Sequence, residues 1–547
     1  MSIGTYLLDR LHELGVRHVF GVPGDFTLKL CKLLEEDGRI QFVGTTREDT
    51  AGFAADGYAR RHEGLGVVLV THGVGALSTV NPIAGANAES SPVLVLSGAP
   101  GRQEWEERPL IHHCFGPYGS QIKIFENFTC SAVALNERSH AFGQIDQVLE
   151  SIWNKKKPGY IEVPRDLVDR EIPFHAQYDS FRRYEASDEE TLEEALAETV
   201  ELLSRAESPM ILAGVELHRY GVQNELVQLA ETSQLPVAAT IMGKSVINER
   251  HPLYQGVYQG MVGPAETREQ IESADLLITL GVMFTDINLG MYTAQLDPNR
   301  MVQVNQGEIT IKHHKYSRIT LKDFMNGLGR RVKPGTYRSR LHMRWSEEPN
   351  DASPAPRSPE EPLTTSKVIQ ILNQKITPEL SVVCDTGDCL FAAVDLKVSD
   401  KTAFFASAFY TTMGFAVPAA LGVNCASPET RPLILVGDGA FQMTGTELST
   451  FRKFHFIPVV IVLNNGGYET ERVILDGKFN DIPEWDYGSV CRLIHYGKAT
   501  RVRTAGEFQS AVDQALADRT QMHLIDTVVT ESSRGMRKLA EEISRRV

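Results

Sequence analysis

The sequence predicts an α/β protein made of three α/β domains with parallel sheets. Short apolar runs such as "GVVLVTHG", "PMILAGVEL" and "PLILVGDG" recur along the 547 residues and alternate with stretches of helical spacing, which is typical of βαβ units. A chain of this length exceeds one hydrophobic core and should divide into roughly three domains of ~150 residues each. A proline-rich polar segment, "EEPNDASPAPRSPEEP", separates the second series of runs from the third and has the composition of a linker.

The order of the runs gives the predicted domain boundaries. An N-terminal domain over 1–180 has "HVFGVPG", "GVVLVTHG", "PVLVLSGAPG" and "PGYIEVP" as its strands. A central α/β domain over 185–345 begins with an acidic helix and continues with "PMILAGVEL", "LPVAATI", "ADLLITLGV" and "RMVQVN". The linker occupies 346–362, and a C-terminal domain over 363–547 has "LSVVCDTG", "TAFFASA", "PLILVGDG", "VVIVLNN" and "MHLIDTVV" as buried strands.

Composition excludes several classes of function. The net charge of −15 argues against nucleic acid or an anionic membrane as the main partner. No apolar run approaches the ~18 residues of a membrane span, and the N-terminus lacks the pattern of a signal peptide. The seven cysteines contain no CxxC pair, so we expect reduced thiols and a cytoplasmic location.

The stretch "GDGAFQMTG" lies where an apolar run should turn into a helix. Backbone N–H groups and a helix N-terminus beside Asp438 suit a phosphate bound together with Mg²⁺. The next apolar run ends in "NNGGYETE", which places Asn465 and Gly467 at the carboxyl end of a neighbouring strand, where ligands bind in such sheets. We predict that Asp438, the Asn465 side chain and the Gly467 carbonyl hold one ion that bridges a diphosphate. The alternative is that Asp438 only caps its helix, with glycines serving a tight turn.

These residues resemble the signature of thiamine-diphosphate enzymes. The whole chain resembles the 2-oxo acid decarboxylases, the family that contains pyruvate, indolepyruvate, phenylpyruvate and branched-chain 2-oxo acid decarboxylases. The resemblance implies a pyrimidine-binding N-terminal domain, a central domain and a diphosphate-binding C-terminal domain, with thiamine diphosphate and Mg²⁺ as cofactors. It also implies a homodimer at minimum, and more commonly a homotetramer. The implied cofactor contacts are Glu48, Thr386, Thr411, Met413, Gly437, Asp438, Gly439, Ala440, Asn465 and Gly467.

The resemblance assigns catalytic roles to two acids near the N-terminus. Glu48, in "TTREDTAGFAADGYAR", matches the glutamate that hydrogen-bonds the aminopyrimidine ring and promotes activation of the cofactor. Such a carboxylate must share a proton with a weakly basic ring. Asp25, in "FGVPGDF", matches the aspartate that governs protonation after CO₂ leaves. The alternative for Glu48 is that it braces its own helix beside Arg47 and Asp49.

Two further motifs favour the pyruvate and indolepyruvate type within this family. His112 and His113 stand adjacent in "LIHHCFG", and Glu471 follows Asn465 on what should be the first turn of a helix. The alternatives are metal binding or chance loop polarity for the histidines, and a solvent-facing helical residue beside Arg472 for Glu471.

The resemblance also describes the shape of the cofactor site. Met413, in "FYTTMGFAVPAALG", is the apolar residue that keeps the cofactor bent, and the Thr411 carbonyl accepts its 4′-amino group. His72 and Asn87 depart from the family pattern, in which aromatic residues are usual. The C-terminal "ESSRGMRKLAEEISRRV" is an amphipathic helix that either closes the active site or simply ends the chain.

The predicted activity is decarboxylation of a 2-oxo acid to an aldehyde and CO₂. The pocket walls implied by the resemblance are Ile287, Thr386, Leu390, Thr470 and Ile474. Leu390 and Ile287 are smaller than the aromatic residues usual in strict pyruvate decarboxylases, so we expect bulkier branched-chain, medium-chain or aromatic 2-oxo acids. Overlapping substrates are expected, because apolar pockets discriminate only ~1–3 kcal/mol per methylene.

Other functions stay open at this point. A pyruvate-preferring decarboxylase and a carboligase of the acetohydroxyacid synthase type share the cofactor motifs. A nicotinamide or flavin oxidoreductase is suggested only by the α/β pattern, since "THGVGALS" lacks the full GxGxxG spacing. A non-catalytic member is disfavoured by the presence of both Glu48 and Asp438.

Overall fold

The computed structural model describes residues 1–171, 186–333 and 358–545. The described residues form two compact units. The first contains residues 1–171, 417–429 and 444–456, and the second contains 186–333, 358–416, 430–443 and 457–545. The predicted linker over 346–362 lies outside the described residues except for 358–362, as do the residues around the predicted boundary at 180–185.

The first unit contains a six-stranded parallel sheet with the strand order β2-β1-β3-β4-β6-β5. Its central strands are completely buried, as expected for a parallel sheet covered on both faces. Its strands are β1 (His18–Gly21), β2 (Gln41–Gly44), β3 (Gly66–Val70), β4 (Val93–Ala99), β5 (Ser131–Ala134) and β6 (Gly159–Pro164). Its helices are α1 (Ile3–Glu13), α2 (Leu28–Asp37), α3 (Glu48–His62), α4 (Val74–Ser78), α5 (Val80–Ala88), α6 (Arg102–Glu107), α7 (Ser120–Phe125) and α8 (Ala141–Lys155).

Segments from much later in the chain complete this first unit. A Cβ atom at Gly57 would lie 2.2 Å from the carbonyl oxygen of Ala419, and one at Gly422 would lie 1.8 Å from that of Ala54. Both distances are impossible for a real side chain, so glycine permits the close backbone packing of these two segments. The Glu447 carboxylate also accepts the backbone N–H of Thr46 at 3.1 Å.

The second unit contains two sheets, of which the first has seven strands in the order β13-β12-β11-β10-β7-β8-β9. This sheet is mixed, because β11 pairs with β12 and β12 with β13 in antiparallel fashion. The strands are β7 (Pro209–Ala213), β8 (Val237–Thr240), β9 (Tyr254–Tyr258), β10 (Leu276–Leu280), β11 (Met301–Asn305), β12 (Glu308–Ile311) and β13 (His314–Ser317). The helices are α9 (Glu189–Arg205), α10 (Glu216–Arg219), α11 (Gln223–Ser233), α12 (Ala265–Ser273) and α13 (Leu321–Arg331).

The prediction of a parallel central sheet is therefore wrong at one edge. Two-residue connections join β11 to β12 and β12 to β13, and connections this short permit only antiparallel pairing. Gly307 in the first of these turns has φ +92°, which glycine adopts without strain. The other strand pairs of this sheet are parallel, as predicted.

The third sheet has six parallel strands in the order β15-β14-β16-β17-β19-β18. After β14 the chain goes first to β15 on one side and then to β16 on the other, so a topological switch point lies between β14 and β16. Its strands are β14 (Leu380–Cys384), β15 (Phe404–Ala406), β16 (Arg431–Gly437), β17 (Val459–Asn464), β18 (Lys498–Val502) and β19 (His523–Val528). The helices that follow along the chain are α14 (Thr365–Asn373), α15 (Asp388–Ala392), α16 (Ala416–Ala426), α17 (Asp438–Thr444), α18 (Leu448–Lys453), α19 (Glu469–Ile474), α20 (Ser489–Leu493), α21 (Ala505–Ala517) and α22 (Arg534–Ser544).

Three α/β sheets, two of them wholly parallel, confirm the predicted fold class. Within the described ranges, none of the helices combines the length and the apolar character needed to cross a membrane.

Candidate active site

The buried carboxylate of Asp438 lies at the carboxyl edge of the third sheet. β16 and β17 are adjacent, with Gly437 paired to Leu463, which confirms the predicted neighbouring strands. Asp438 begins α17 directly after β16. Its Oδ2 accepts the backbone N–H groups of Asn465 at 3.1 Å and Gly466 at 2.7 Å, and its Oδ1 accepts that of Gly439 at 2.8 Å.

The environment of Asp438 fits a bound cation. Burial raises the pKa of this carboxyl, although the backbone N–H groups oppose the effect. In the described part of the chain no lysine, arginine or histidine pairs with it. The Asn465 side-chain oxygen lies close by and accepts the Gly467 N–H at 3.3 Å. A carboxylate, an amide oxygen and a carbonyl are the hard oxygen donors that Mg²⁺ prefers.

A second buried carboxylate, Asp385, lies on the other side of the switch point. Asp385 directly follows β14 and is fully buried. It accepts the backbone N–H groups of Thr386 and Gly414 at 3.0 Å each and of Ala416 at 2.8 Å. Burial raises its pKa to about 6. Asp385 therefore anchors the backbone that follows Met413, and sequence reasoning did not identify it.

Met413 lies beside the glycine turn that follows Asp438. A Cβ atom at Gly439 would lie 3.6 Å from Met413 Cε and 2.6 Å from a ring carbon of Tyr468. A larger residue than glycine would thus collide with the Tyr468 ring. Thr411, the predicted carbonyl acceptor, has φ +52°, an uncommon conformation for a threonine. Ala440 continues the first turn of α17 and is buried.

Glu471 lies in the first turn of the short helix α19 and is exposed. The C-terminal helix α22 packs on this helix, and Thr470 Oγ1 lies 3.3 Å from the sulfur of Met536 on α22. The N-terminus of α22 is held by Asp388, whose carboxylate accepts the Ser533 N–H at 2.8 Å.

Three of the predicted pocket residues belong to a single apolar cluster. Ile287 and Leu390 are buried in it and Ile474 packs against it. Thr386 and Thr470 are half-buried near the same loops, and a Cβ atom at Gly387 would lie 3.6 Å from Thr470 Oγ1.

The predicted Asp25, His112 and His113 come together in the first unit. His112 Nε2 lies 2.8 Å from Asp25 Oδ2, and His113 Nε2 lies 4.0 Å from Asp25 Oδ1. Arg165 approaches the same carboxylate at 3.7 Å and lies over the Phe26 ring. These groups can hold and exchange protons, since imidazole and carboxyl side chains are the usual general acids and bases of enzymes.

Glu48 is the first residue of α3 in the same unit. Its Oε1 would lie 3.4 Å from a Cβ atom at Gly75, so a side chain at that position would press against the carboxylate. His72, one of the two departures from the family pattern, lies on the turn before α4, and burial lowers its pKa to about 4. Asn87, the other departure, offers its carbonyl to Lys157.

Comparison with known proteins shows the family to which the chain belongs. The thiamine pyrophosphate enzyme N-terminal, central and C-terminal domain profiles match residues 1–124, 196–323 and 385–527. The chain is 34% identical to a probable pyruvate decarboxylase of Schizosaccharomyces pombe, over 97% of this chain and 94% of the relative. It is 32% identical to an indole-3-pyruvate decarboxylase of Azospirillum brasilense, over 97% and 95%. An alpha-keto-acid decarboxylase of Mycolicibacterium paratuberculosis is 31% identical, over 96% and 94%.

The fold, the Asp438 site and the three profile matches define a thiamine pyrophosphate enzyme. Within that class, the chain belongs to the family of thiamine-diphosphate-dependent 2-oxo acid decarboxylases.

Proposed function

We propose that this protein decarboxylates bulky hydrophobic 2-oxo acids to aldehydes and CO₂ with thiamine diphosphate and Mg²⁺. The observation that carries the proposal is the buried Asp438 carboxylate at the switch point of the third sheet, held by backbone N–H groups and free of any cation pair in the described ranges. Full-length similarity to three kinds of 2-oxo acid decarboxylase supports the reaction type.

In this proposal residues 363–547 bind the diphosphate and residues 1–180 bind the pyrimidine ring. Asp438, the Asn465 side chain and the Gly467 carbonyl hold Mg²⁺, and the backbone of Gly437, Gly439 and Ala440 approaches the diphosphate. When bound, thiamine diphosphate supplies the nucleophilic carbon and accepts the electrons that CO₂ leaves behind. Met413 and the Thr411 carbonyl would hold the cofactor, and Glu48 would hold a proton at its pyrimidine ring.

In this proposal, proton transfer to and from the substrate is carried out by Asp25, His112, His113 and Glu471. The 2.8 Å contact between His112 and Asp25 supports a shared proton at these two side chains. The Phe26 ring lies 5.2 Å from the His112 ring and packs beside this group.

The preference for bulky substrates rests on the pocket residues. Leu390 and Ile287 offer aliphatic rather than aromatic walls in one apolar cluster with Ile474. We also propose a homodimer at minimum, assembled to a homotetramer, because in this family the pyrimidine site of one chain faces the diphosphate site of another. A cytoplasmic location is supported by the seven cysteines, all of them free thiols.

The test is aldehyde release by the reconstituted enzyme on pyruvate, 2-oxoisovalerate, 2-oxo-octanoate, phenylpyruvate and indolepyruvate. Glu48→Gln should lower kcat by roughly 10²–10⁴-fold, whereas Glu150→Gln, at an exposed position on α8, should leave it unchanged. A large preference for pyruvate would overturn the substrate proposal. Formation of a 2-hydroxyketone in place of an aldehyde would favour a carboligase.

A further inference from the structure

A buried polar network lies beneath the loop that carries His112 and His113. Its acidic member is Glu162 on β6, which is 2% exposed and pairs in the sheet with Ser97 and Ala134. The Tyr160 hydroxyl donates to Glu162 Oε1 at 2.9 Å. Across the described residues no cation lies within ion-pairing distance of Glu162. A buried carboxylate without a counter-ion is costly to stability, so Glu162 is a candidate for a role other than stability.

Gln121 connects Glu162 to the backbone near the histidines. Its Nε2 lies 2.5 Å from the Tyr160 oxygen, 2.9 Å from Ser97 Oγ and 3.4 Å from Glu162 Oε1. Its Oε1 accepts the Gly73 N–H at 2.6 Å. Because only the oxygen of the amide can accept, the acceptors around Nε2 fix the orientation that holds Gly73.

Gly73 in turn supports His113 directly. It has φ +63°, and a Cβ atom there would lie 2.0 Å from the His113 carbonyl oxygen. The two backbones are thus in close contact. Glu162, Gln121 and His72 also line a small cavity together with Cys114, the residue after His113.

We propose that Glu162 is a positioning residue for His112 and His113, and that its ionised form holds Gln121, Gly73 and the histidine loop in the arrangement needed for proton transfer. This inference rests on the proton-transfer role proposed above for the two histidines. When Glu162 is ionised, it accepts from both Tyr160 and Gln121. When it is protonated, one of its oxygens carries a proton that needs an acceptor, and the remaining carbonyl oxygen accepts from Tyr160 and Gln121 more weakly than a carboxylate does, so the hold on Gln121 loosens.

Among the titratable side chains that line this cavity, Glu162 is the one with a pKa near neutral. Burial raises the Glu162 pKa to about 7. The other titratable groups that face Glu162 have pKa values shifted away from neutral. The pKa of Tyr160 is raised well above its usual range, and that of His72 is lowered to about 4. The pKa values of Cys114 and Tyr118 are also raised. The support for the histidine loop is therefore expected to weaken as pH falls through about 7.

The first test measures ionisation without any use of activity. A carboxyl with a folded pKa of about 7 and an ordinary pKa of 4.5 makes the protein less stable as pH rises through that window, because the folded state holds the proton more tightly. The melting temperature of Glu162→Gln should therefore rise relative to that of the wild type as pH increases from 4.5 to 7. Glu150→Gln should show no such trend. A constant difference for Glu162→Gln would overturn the ionisation.

The second test measures positioning. The amide of Glu162→Gln can still accept from Tyr160 and Gln121 but cannot titrate, so its kcat/KM profile should lack an ionisation near pH 7 that the wild type and Glu150→Gln show. In Tyr160→Phe the ionisation should move to higher pH, because the Tyr160 hydrogen bond lowers the Glu162 pKa. Identical profiles for the wild type and a folded Glu162→Gln would refute the positioning role.

A third measurement separates this inference from the proposed function. The ring signals of ¹³C-labelled histidines, assigned with His113→Gln, should shift with the ionisation of Glu162 in the wild type and not in Glu162→Gln. This result is expected even if no 2-oxo acid releases an aldehyde. The absence of aldehyde would contradict only the proposed function. A His113 signal that shifts with pH identically in both proteins would contradict the positioning role of Glu162 and would not affect the proposal of decarboxylation.

Discussion

The Asp385 carboxylate accepts the backbone N–H of Gly414 at 3.0 Å, so the strand β14 directly fixes the residue that follows Met413. We expect Asp385→Asn to loosen this loop, because an amide NH₂ group would face a backbone N–H where the carboxylate accepted one. An unsatisfied buried donor costs about 1–3 kcal/mol, so the dissociation constant of thiamine diphosphate should rise roughly 10-fold or more. Cofactor titration by tryptophan fluorescence measures this change. Asp400→Asn, on the loop before β15, is the control, and unaltered cofactor affinity in Asp385→Asn would contradict the anchoring role.

The same residue predicts a pH dependence of stability. The folded pKa of Asp385 is about 6, raised by burial above the ordinary 3.8. Its contribution therefore lowers stability as pH rises between these values, by at most about 3 kcal/mol at 1.36 kcal/mol per pH unit. Denaturant unfolding from pH 4 to pH 7 should show this slope in the wild-type protein and a flatter one in Asp385→Asn. Parallel curves would show that Asp385 does not titrate in this range.

Removal of the divalent cation should release the cofactor. In the proposed site, chelation would leave the buried Asp438 carboxylate without a positive partner, and the protein would hold the diphosphate more weakly. We expect loss of bound thiamine diphosphate in gel filtration and recovery on addition of Mg²⁺. Because burial raises the pKa of Asp438, more Mg²⁺ should be needed as pH falls. Asp438→Ala should be unresponsive to Mg²⁺, whereas Asp476→Asn, on the exposed loop after α19, should behave as the wild type does.

Weaker packing of α22 on α19 should lower kcat. Met536 is completely buried against α19, which carries Glu471. Truncation by Met536→Ala should weaken this contact by about 2–5 kcal/mol, the usual cost of a buried Met→Ala change. We expect faster tryptic cleavage in the C-terminal helix and a lower kcat. Glu541→Gln, at an exposed position on the same helix, should change neither, and a fully active Met536→Ala would assign α22 a purely terminal role.

The proposed substrate pocket can be tested by a substitution that would narrow it. Leu390→Phe adds volume to the cluster that includes Ile287, so it should disfavour large substrates. We expect the ratio of kcat/KM for phenylpyruvate to that for pyruvate to fall roughly 10-fold, which lies within the ~1–3 kcal/mol an apolar pocket discriminates. Ile474→Leu conserves volume and should leave the ratio nearly unchanged. A similar fall for both substrates would indicate general damage and not a pocket wall.

Sequence patterns predicted the strands that are buried on both faces. β3, β4 and β17 are short, fully buried apolar runs, and β16 is buried except at its last residue, so the apolar pattern alone identifies them. β18 was missed because it is an edge strand, "KATRV", with four exposed positions. β12 and β13 were missed for a related reason, since their pairing depends on turns whose backbone conformation the apolar pattern does not encode.

The site residues could be predicted where the functional side chain lies next to its strand and turn in the sequence. Asp438 and Asn465 stand next to apolar runs with glycines beside them, so strand, turn and ligand are visible together. Asp385, in "CDTGD", follows a buried run in the same way and could have been found by that signal. The hydrogen bond between Gln121 and Gly73 joins residues far apart in the sequence. No local sequence pattern predicts a hydrogen bond of that kind.

The late segments that complete the first unit have a consequence for synthesis. Backbone contacts of Gly57 with Ala419, and of Thr46 with Glu447, do not exist until those distant residues have left the ribosome. The N-terminal sheet therefore stays partly uncovered while most of the polypeptide is translated. Its final packing therefore comes late in synthesis, and the partly covered sheet is an intermediate on which chaperones would act.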